Sequence, residues 1–326
     1  PSLPRDAAIR FLVVGLVGWF MFIRARCLAW CTVPPQFLDR FKSYLVHHKP
    51  THGGAFATSR ASDALMDEAR QAAADFLGAA RSEEIVFGPS MTSLTFNLSR
   101  AIARTWNPGD TIVVTSLDHD ANITPWAMAA EERGVRVRQV DFNPTDGTLS
   151  LEDLYAALEE KPRLVAVGYA SNALGTINPV AQIVEAVHAA GALIYVDAVQ
   201  YAPHGPIDVR LLDCDFLVCS AYKFCGPHIG LLYGKYELLD ELTAYRVRPA
   251  PSDPPGKFET GTGLFEGYAG VLGALEYMEW IGETFGGDHC EKYAGQYRGR
   301  VLKLKQATSA IRAYEYELSR ILLDVL

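Results

Sequence analysis

Seven short runs rich in β-branched and apolar residues, separated by helical stretches of about ten residues, dominate the chain between residues 85 and 233. The runs are Ile85–Phe87, Thr111–Thr115, Val135–Phe142, Leu164–Tyr169, Ala192–Val199, Asp215–Ser220 and Ile229–Tyr233. Strands that are apolar on both sides belong inside a sheet, because a strand with one wet face alternates polar and apolar residues. Helices between the strands supply the crossovers that parallel pairing needs. The pattern predicts an α/β fold: a mostly parallel sheet flanked by helices on both faces. A wholly helical chain is excluded by the clusters IVV, LVAV and LIYV, whose branched side chains suit a pleated surface.

Helix signals fill the remainder. Helices are predicted over Pro35–His47, from an N-cap at Ser62 to a C-cap at Gly78, and over Thr92–Trp106, where Asn107-Pro108-Gly109-Asp110 stops the chain. Others are predicted over Ile123–Arg133, after an N-cap at Ser150, and over Val180–Ala190. Glu291–Leu326 reads as one long amphipathic helix with Leu302, Ile311, Tyr314, Leu318 and Leu322 among its apolar positions.

At 326 residues, with 49% hydrophobic and 21% charged, the chain can build one large core or two domains. Its net charge of −8 argues against nucleic acid as a partner, since a phosphate-binding surface needs a basic excess. Six cysteines are too sparse for a disulfide scaffold, and Cys214, Cys219 and Cys225 flank what reads as a strand rather than a metal knuckle. Reduced thiols and a cytoplasmic location are expected, with no metal. The apolar run Phe11–Ile23 between Arg10 and Arg24 is short for a membrane span. A targeting segment, a buried apolar element and sequence foreign to the domain all remain open for it, and membrane attachment is not expected. Because the chain starts at Pro1, it is read as a possible fragment.

Sheets of this kind bind ligands at the carboxyl ends of their strands. Gly88-Pro89-Ser90-Met91-Thr92-Ser93 follows the first run and opens a helix. Asp118-His119 follows the second, Asn172 the fourth, Asp197 and Gln200 the fifth, and Ser220-Ala221-Tyr222-Lys223 the sixth. Singly, each has an ordinary structural explanation: Ser90 and Thr92 as helix caps, Asp197 as an ion-pair partner, Lys223 as a surface cation, His119 as a bonded core histidine. Together they converge on a phosphorylated pyridine aldehyde. A helix N-terminus with small hydroxylated residues suits a phosphate dianion. A buried carboxylate at Asp197 would keep a ring nitrogen protonated, and Lys223, 26 positions on, would supply the amine for the aldehyde. His119 could stack on the ring and move protons near neutral pH, and Gln200 could bond the phenolic oxygen.

From about Thr51 to Glu283 the chain resembles the class V aminotransferase group of fold type I pyridoxal-phosphate (PLP) enzymes, and within it the cysteine desulfurase/selenocysteine lyase branch. The resemblance is carried by Asp118-His119-Asp120-Ala121-Asn122-Ile123-Thr124-Pro125-Trp126, against that branch's acidic-His-His-Ala-Asn-x-x-Pro-Trp, and by Ser171-Asn172-Ala173-Leu174-Gly175-Thr176. Val196-Asp197-Ala198-Val199-Gln200, Ser220-Ala221-Tyr222-Lys223, Gly226-Pro227-His228-Ile229-Gly230 and Lys257-Phe258-Glu259-Thr260-Gly261-Thr262 extend it in the same order. The resemblance implies PLP as cofactor, Lys223 as the Schiff-base lysine, Asp197 at the pyridine nitrogen and His119 stacked on the ring, with Lys223 and His119 catalytic. It implies Gln200 at the phenolic oxygen and Asn172 beside the ring. Ser90, Met91, Thr92, Ser220 and Tyr222 would lie at the phosphate, with Thr262 reaching the phosphate of a partner subunit in a homodimer with shared active sites. A small-molecule amino acid is the implied substrate.

Three departures qualify this. Tyr222 stands where the group has histidine, although a tyrosine hydroxyl also bonds phosphate. Cys225 stands where an aromatic is common. The substrate-gripping arginine and the nucleophilic cysteine loop of the group's smaller domain are not recognisable, and Cys290 does not match that loop. The expected division is an N-terminal segment at 1–32, a PLP-binding large domain at 33–285, and a helix at 286–326 leading into a truncated small domain. Cysteine desulfurase-like chemistry is the first expectation. Another class V reaction (aminotransferase or epimerase), or a PLP-binding chain without activity, remains open because fold and cofactor do not fix the reaction.

Overall fold

The computed structural model describes residues 33–48 and 52–325. The segment 1–32, with the apolar run at 11–23, lies outside the described residues. All seven apolar runs become strands of one sheet: β1 (Ile85–Gly88), β2 (Thr111–Thr115), β3 (Arg136–Val140), β4 (Leu164–Gly168), β5 (Leu193–Asp197), β6 (Phe216–Ser220) and β7 (Gly230–Gly234). Their order across the sheet is β1-β7-β6-β5-β4-β2-β3. Only β7 runs against its neighbours, pairing antiparallel with β1 and β6. Every other pair is parallel, so the sheet is mostly parallel, as expected.

The continuous apolar character of the runs has a simple cause. Successive side chains of a strand point to opposite faces. Val113, Val165, Val167, Ile194, Val196 and Leu217 enter one core, and Ile112, Val114, Ala166, Tyr195, Phe216 and Val218 enter the other. Helices cover both faces, so neither set meets water. Edge strand β3 is the exception, with most of its residues exposed and Arg136 and Arg138 projecting from it. Charged side chains on an edge strand discourage pairing with another chain.

Eleven helices occur among the described residues: α1 (Pro35–His47), α2 (Ala57–Leu77), α3 (Met91–Ala103), α4 (Thr124–Arg133), α5 (Leu151–Glu159), α6 (Val180–Ala189), α7 (Val209–Leu212), α8 (Tyr236–Glu241), α9 (Phe265–Phe285), α10 (Cys290–Tyr293) and α11 (Gly299–Val325). Gly78 ends α2 at φ 77°, a left-handed C-cap as expected. Ser150 caps α5 by accepting from the Asp153 N–H. None of these helices is long and apolar enough to cross a membrane.

Three helix boundaries differ from the sequence expectation. α2 begins at Ala57, not after a cap at Ser62. Ser62 is buried inside the helix, its hydroxyl bonding Thr58 O at 3.1 Å and lying 3.2 Å from the Tyr44 hydroxyl of α1. Tertiary contact thus recruits a residue that local chemistry would place at a helix end. α3 stops at Ala103 rather than Trp106, because the Thr105 N–H and hydroxyl both take Ile102 O, at 2.9 and 2.8 Å.

The expected single helix at 291–326 is two. The chain breaks between α10 and α11 around Gly295 and Gly299 (φ 56°), which turns Tyr293 and Tyr297 inward. Tyr297 then donates to Asp208 Oδ2 at 2.6 Å. The expected stripe of α11 is partly buried, with Ile311 packed against the core and Leu302, Leu318 and Leu322 half-buried, but its most deeply covered residues are others. Leu304, Lys305, Ala307 and Thr308 are covered, whereas Tyr314 is 63% exposed. Lys305 reaches Ile207 O from inside the helix packing, and burial lowers its ammonium pKa to about 8.

Because β7 is antiparallel, its first residue lies at the edge where its neighbours end: Gly230 is in register with Gly88 and Ser220. A Cβ at Gly230 would meet the carbonyl carbon of Ser90 at 2.5 Å and the amide nitrogen of Met91 at 2.6 Å. Both are backbone atoms that cannot swing aside. Gly230→Ala should therefore cost about 1–3 kcal/mol in urea unfolding, the usual range for overpacking, by pushing α3 away from the sheet. An unchanged midpoint would show that the helix start has slack.

Candidate active site

The strand ends that the sequence singled out enclose a pocket of about 350 Å³. Its wall contains Ser90, Met91 and Thr92 from the start of α3, His119 after β2, and Asn172 after β4. Asp197 and Gln200 come from the end of β5, and Ser220, Tyr222 and Lys223 from the end of β6. Ten of the eleven expected site residues therefore share one cavity. The eleventh, Thr262, does not line it. It is exposed in the loop before α9, while the residues just before it are fixed: Glu259 pairs with Arg70 at 2.7 Å and accepts the Phe87 N–H at 2.8 Å.

Local chemistry explains how each group is held. Ser90 is the N-cap of α3, its hydroxyl accepting the Ser93 N–H at 3.1 Å, so the helix presents its positive end to the pocket. Thr92 is the second residue of the helix rather than a cap. The Ser171–Thr176 motif is a tight turn: Ser171 Oγ accepts the N–H groups of Ala173 and Leu174, Gly175 takes φ 75°, and Asn172 is left at the pocket wall. His119 accepts the Ala121 N–H on Nδ1 at 3.1 Å. In the neutral ring its proton therefore sits on Nε2.

Asp197 closes β5 and is only 6% exposed. Its Oδ1 accepts the Val199 N–H at 2.9 Å. Burial pushes its carboxyl pKa up to about 6, with the Val199 N–H, His119 and Lys223 each pulling it back. Lys223 lies in the short turn Ala221–Phe224 after β6, with Nζ 3.4 Å from Gln200 Oε1, the outer limit of a hydrogen bond. Its Nζ also sits 5.5 Å from the centre of the Tyr222 ring. On the other partner of that ring, His228 stacks at 5.2 Å and 20°.

Residues 29–320 match the model of the family described as aminotransferase class-V. The chain belongs to that family.

Among its relatives, a cysteine desulfurase of Dickeya dadantii is 37% identical over 264 residues, covering 76% of this chain and 64% of that protein. One from Serratia proteamaculans is 33% identical, covering 86% of this chain and 73% of the relative. The chain thus spans just under two thirds of the length of the first of these. Among solved structures, the apo form of a cysteine desulfurase from Thermococcus onnurineus NA1 superposes with a TM-score of 0.73 at 27% identity, over 81% of this chain and 70% of that one. A cysteine desulfurase of Escherichia coli gives 0.68 at 28% identity, over 82% and 72%. The fold anticipated from the class V resemblance is the one observed.

In this class-V chain the cavity suits a flat, anionic, nitrogen-containing ring. Its volume falls in the range of small-ligand pockets, about 300–1,000 Å³. A buried carboxylate (Asp197), an amine (Lys223) and a helix N-terminus (α3) open into it, and each matches one polar end of PLP. Among the described residues no cluster of His, Cys, Asp and Glu could hold a metal ion.

Two pocket residues, Val199 and Asp118, were quoted in motifs but not assigned to the site, and Asp118 is the polar one. Asp118 follows β2 directly, and its carboxylate gathers three donors: Thr115 Oγ1 at 2.8 Å, Gly168 N at 2.7 Å and Asn122 Nδ2 at 2.6 Å. Asn122 in turn accepts from Trp126 Nε1 at 3.2 Å, so the Asp-x-x-x-Asn-x-x-x-Trp spacing of the motif is a bonded chain. A Cβ at Gly168 would stand 2.7 Å from Asp118 Oδ1, so a larger residue there would displace the carboxylate from its donors. Burial raises the Asp118 carboxyl to about 7, with the neighbouring Asp197 adding to the effect against the donors.

A carboxyl whose folded pKa is raised stabilises the fold at low pH, and loses that contribution as pH climbs through the folded value. For Asp118 the window runs from about 4 to about 7. Asp118→Asn should remove this slope. Relative to the parent apoprotein, the variant should gain stability steadily across that window, on top of a constant offset from its rearranged hydrogen bonds. A difference curve flat from pH 4 to 8 would mean that Asp118 titrates normally.

Proposed function

We propose that the chain is a PLP-dependent enzyme acting on an amino acid, with cysteine desulfurase-like chemistry as its reaction. The observation that carries this is the shared pocket of Asp197 and Lys223, on the ends of adjacent strands and facing the start of α3. Bound PLP would supply an electron sink for bonds broken next to the substrate amino group. The chain's own groups would do the rest. Lys223 would hold the cofactor covalently through Nζ and, once displaced by the substrate amine, would move the α-proton. Asp197 would keep the ring nitrogen protonated. The α3 N-terminus, with Ser90, Met91 and Thr92, and with Ser220 and Tyr222, would hold the phosphate. His119 would cover the ring face, with a proton available on Nε2. Gln200 would bond the phenolic oxygen, and Asn172 would border the substrate.

Relatives named cysteine desulfurase support the sulfur reaction for the whole protein. A second reading has its own support. Sulfur removal needs a cysteine thiolate as acceptor, and none of the described cysteines (Cys214, Cys219, Cys225, Cys290) lines the pocket. Burial also pushes the thiols of Cys214, Cys219 and Cys225 up, away from the reactive form. Chemistry confined to the α-carbon, as in transamination or epimerisation, requires only Lys223. A homodimer with shared sites is part of the proposal, supported by the exposed position of Thr262 on an anchored loop. A cytoplasmic location is proposed on the free thiols.

PLP added to the purified chain should give a visible absorption band that Lys223→Ala abolishes and that Asp197→Asn shifts or weakens. A colourless mixture under saturating PLP would overturn the cofactor assignment. Incubation with cysteine and a reductant should then release sulfide and alanine in equal amounts. Alanine racemisation or keto-acid formation without sulfide would select the second reading. Asp197→Asn should slow either reaction by at least ~10²-fold, the scale of losing one charge-stabilising group.

A further inference from the structure

The loop that carries Gln200 is held from outside the sheet. Within seven residues of Asp197 it makes two long-range contacts. Tyr201 stacks face to face on Tyr169 at the end of β4, with ring centres 3.8 Å apart and planes 5° from parallel. His204 Nδ1 lies 2.8 Å from Glu315 Oε2 on α11, a pair with side chains 18% and 28% exposed. One helical turn earlier on α11, Arg312 is close enough for its charge to act on the Tyr169 hydroxyl, opposing the effect of burial there. The same helix thus holds the loop through Glu315 and carries a charge near the stack, although none of its residues lines the pocket.

We propose that His204 and Glu315 are positioning residues for the Gln200–Lys223 end of the pocket, so that α11 belongs to the scaffold of the site. The loop from 198 to 204 starts on the sheet, where the Ala198 N–H bonds Val218 O at 2.8 Å and Ala198 and Ala202 are buried; beyond that its backbone bonds are turns from Tyr201 and Ala202 to Ala198 O and from His204 to Tyr201 O. Turns of this kind fix local curvature but not the direction of the whole loop. Two distant anchors do. Tyr169 sets where Tyr201 lies over the sheet, and Glu315 stops the His204 end from rotating. With both in place, the Gln200 amide faces Lys223 Nζ at 3.4 Å. A partly buried imidazole–carboxylate contact suits this task because its geometry is specific even where its net stabilisation is small.

This inference rests on the PLP assignment for one of its two measurements only. The full chain, as parent, His204→Ala, Glu315→Ala, Glu315→Gln and the double alanine variant, would be compared by PLP titration and by backbone hydrogen exchange. Each alanine variant should bind PLP about fivefold more weakly, the upper end for a partly exposed pair. Each should also exchange faster at Tyr201, Ala202 and His204 while β5 and β6 keep their protection. The double variant should match the singles, since residues that act as one strut are not additive. Glu315→Gln, which keeps an acceptor oxygen and the side-chain size, should recover part of the loss. Unchanged exchange and affinity in both single variants, or losses that multiply in the double, would overturn the strut. If the parent itself binds no PLP, the proposed function fails, and the exchange data alone decide the role of the pair.

Discussion

Asp197 ends a strand whose preceding residues, Ile194, Tyr195 and Val196, have no accessible surface. A carboxylate there has little water, and an uncompensated ion in such a place would cost several kcal/mol. Compensation comes from the pocket: one backbone N–H from Val199 and the positive influence of His119 and Lys223. These leave the carboxyl pKa near 6, still above its ordinary value, so Asp197 is under-neutralised by its own protein. A group in that state favours any ligand that brings it a proton and a positive charge. The pyridine nitrogen of PLP would be such a ligand.

The surrounding backbone is shaped for close approach. Antiparallel β7 begins where β1 and β6 end, which puts Gly230 against the first turn of α3. Gly168 does the same for Asp118 at the end of β4. Behind them a buried polar path ties the floor to the helix: the Tyr195 hydroxyl lies 2.7 Å from Thr95 Oγ1, which donates to Met91 O at 2.9 Å. Tyr195 also meets Trp126 edge-on at 4.9 Å, and Trp126 donates to Asn122, which holds Asp118. The Asp118 carboxylate and a helix N-terminus are therefore positioned by one set of interlocked side chains. Such sets hold geometry more tightly than the sum of separate contacts.

Much of this was legible in the sequence because parallel sheets impose continuous apolar runs and place their chemistry at strand ends. Seven runs predicted seven strands, and residues just after them supplied ten pocket positions. The misses have physical causes. Ser62 carries a helix-cap side chain yet is packed against Tyr44, and no local rule sees that partner. The break at Gly295–Gly299 was overridden in the reading by the apolar spacing on either side, although two glycines within five positions were a visible signal. The buried face of α11 includes Lys305, so a count of aliphatic residues pointed to Tyr314 instead. Asp118 escaped notice because an acidic residue beside a histidine looks like solvent-facing polarity until the donors of β2, β4 and α4's leading turn converge on it.

The Tyr222 departure is explained by its neighbour. In the group that this chain resembles, a histidine precedes the lysine. Here the imidazole lies six positions later, at His228, stacked on the Tyr222 ring whose other contact is the Lys223 ammonium. The ring thus has two neighbours, the Lys223 Nζ at 5.5 Å and the His228 imidazole at 5.2 Å. A tyrosine so placed offers its hydroxyl to an anion without needing the charge that a histidine would bring. On the proposed function, the change at position 222 would alter how a phosphate is held while leaving Asp197 and Lys223 where the sheet puts them.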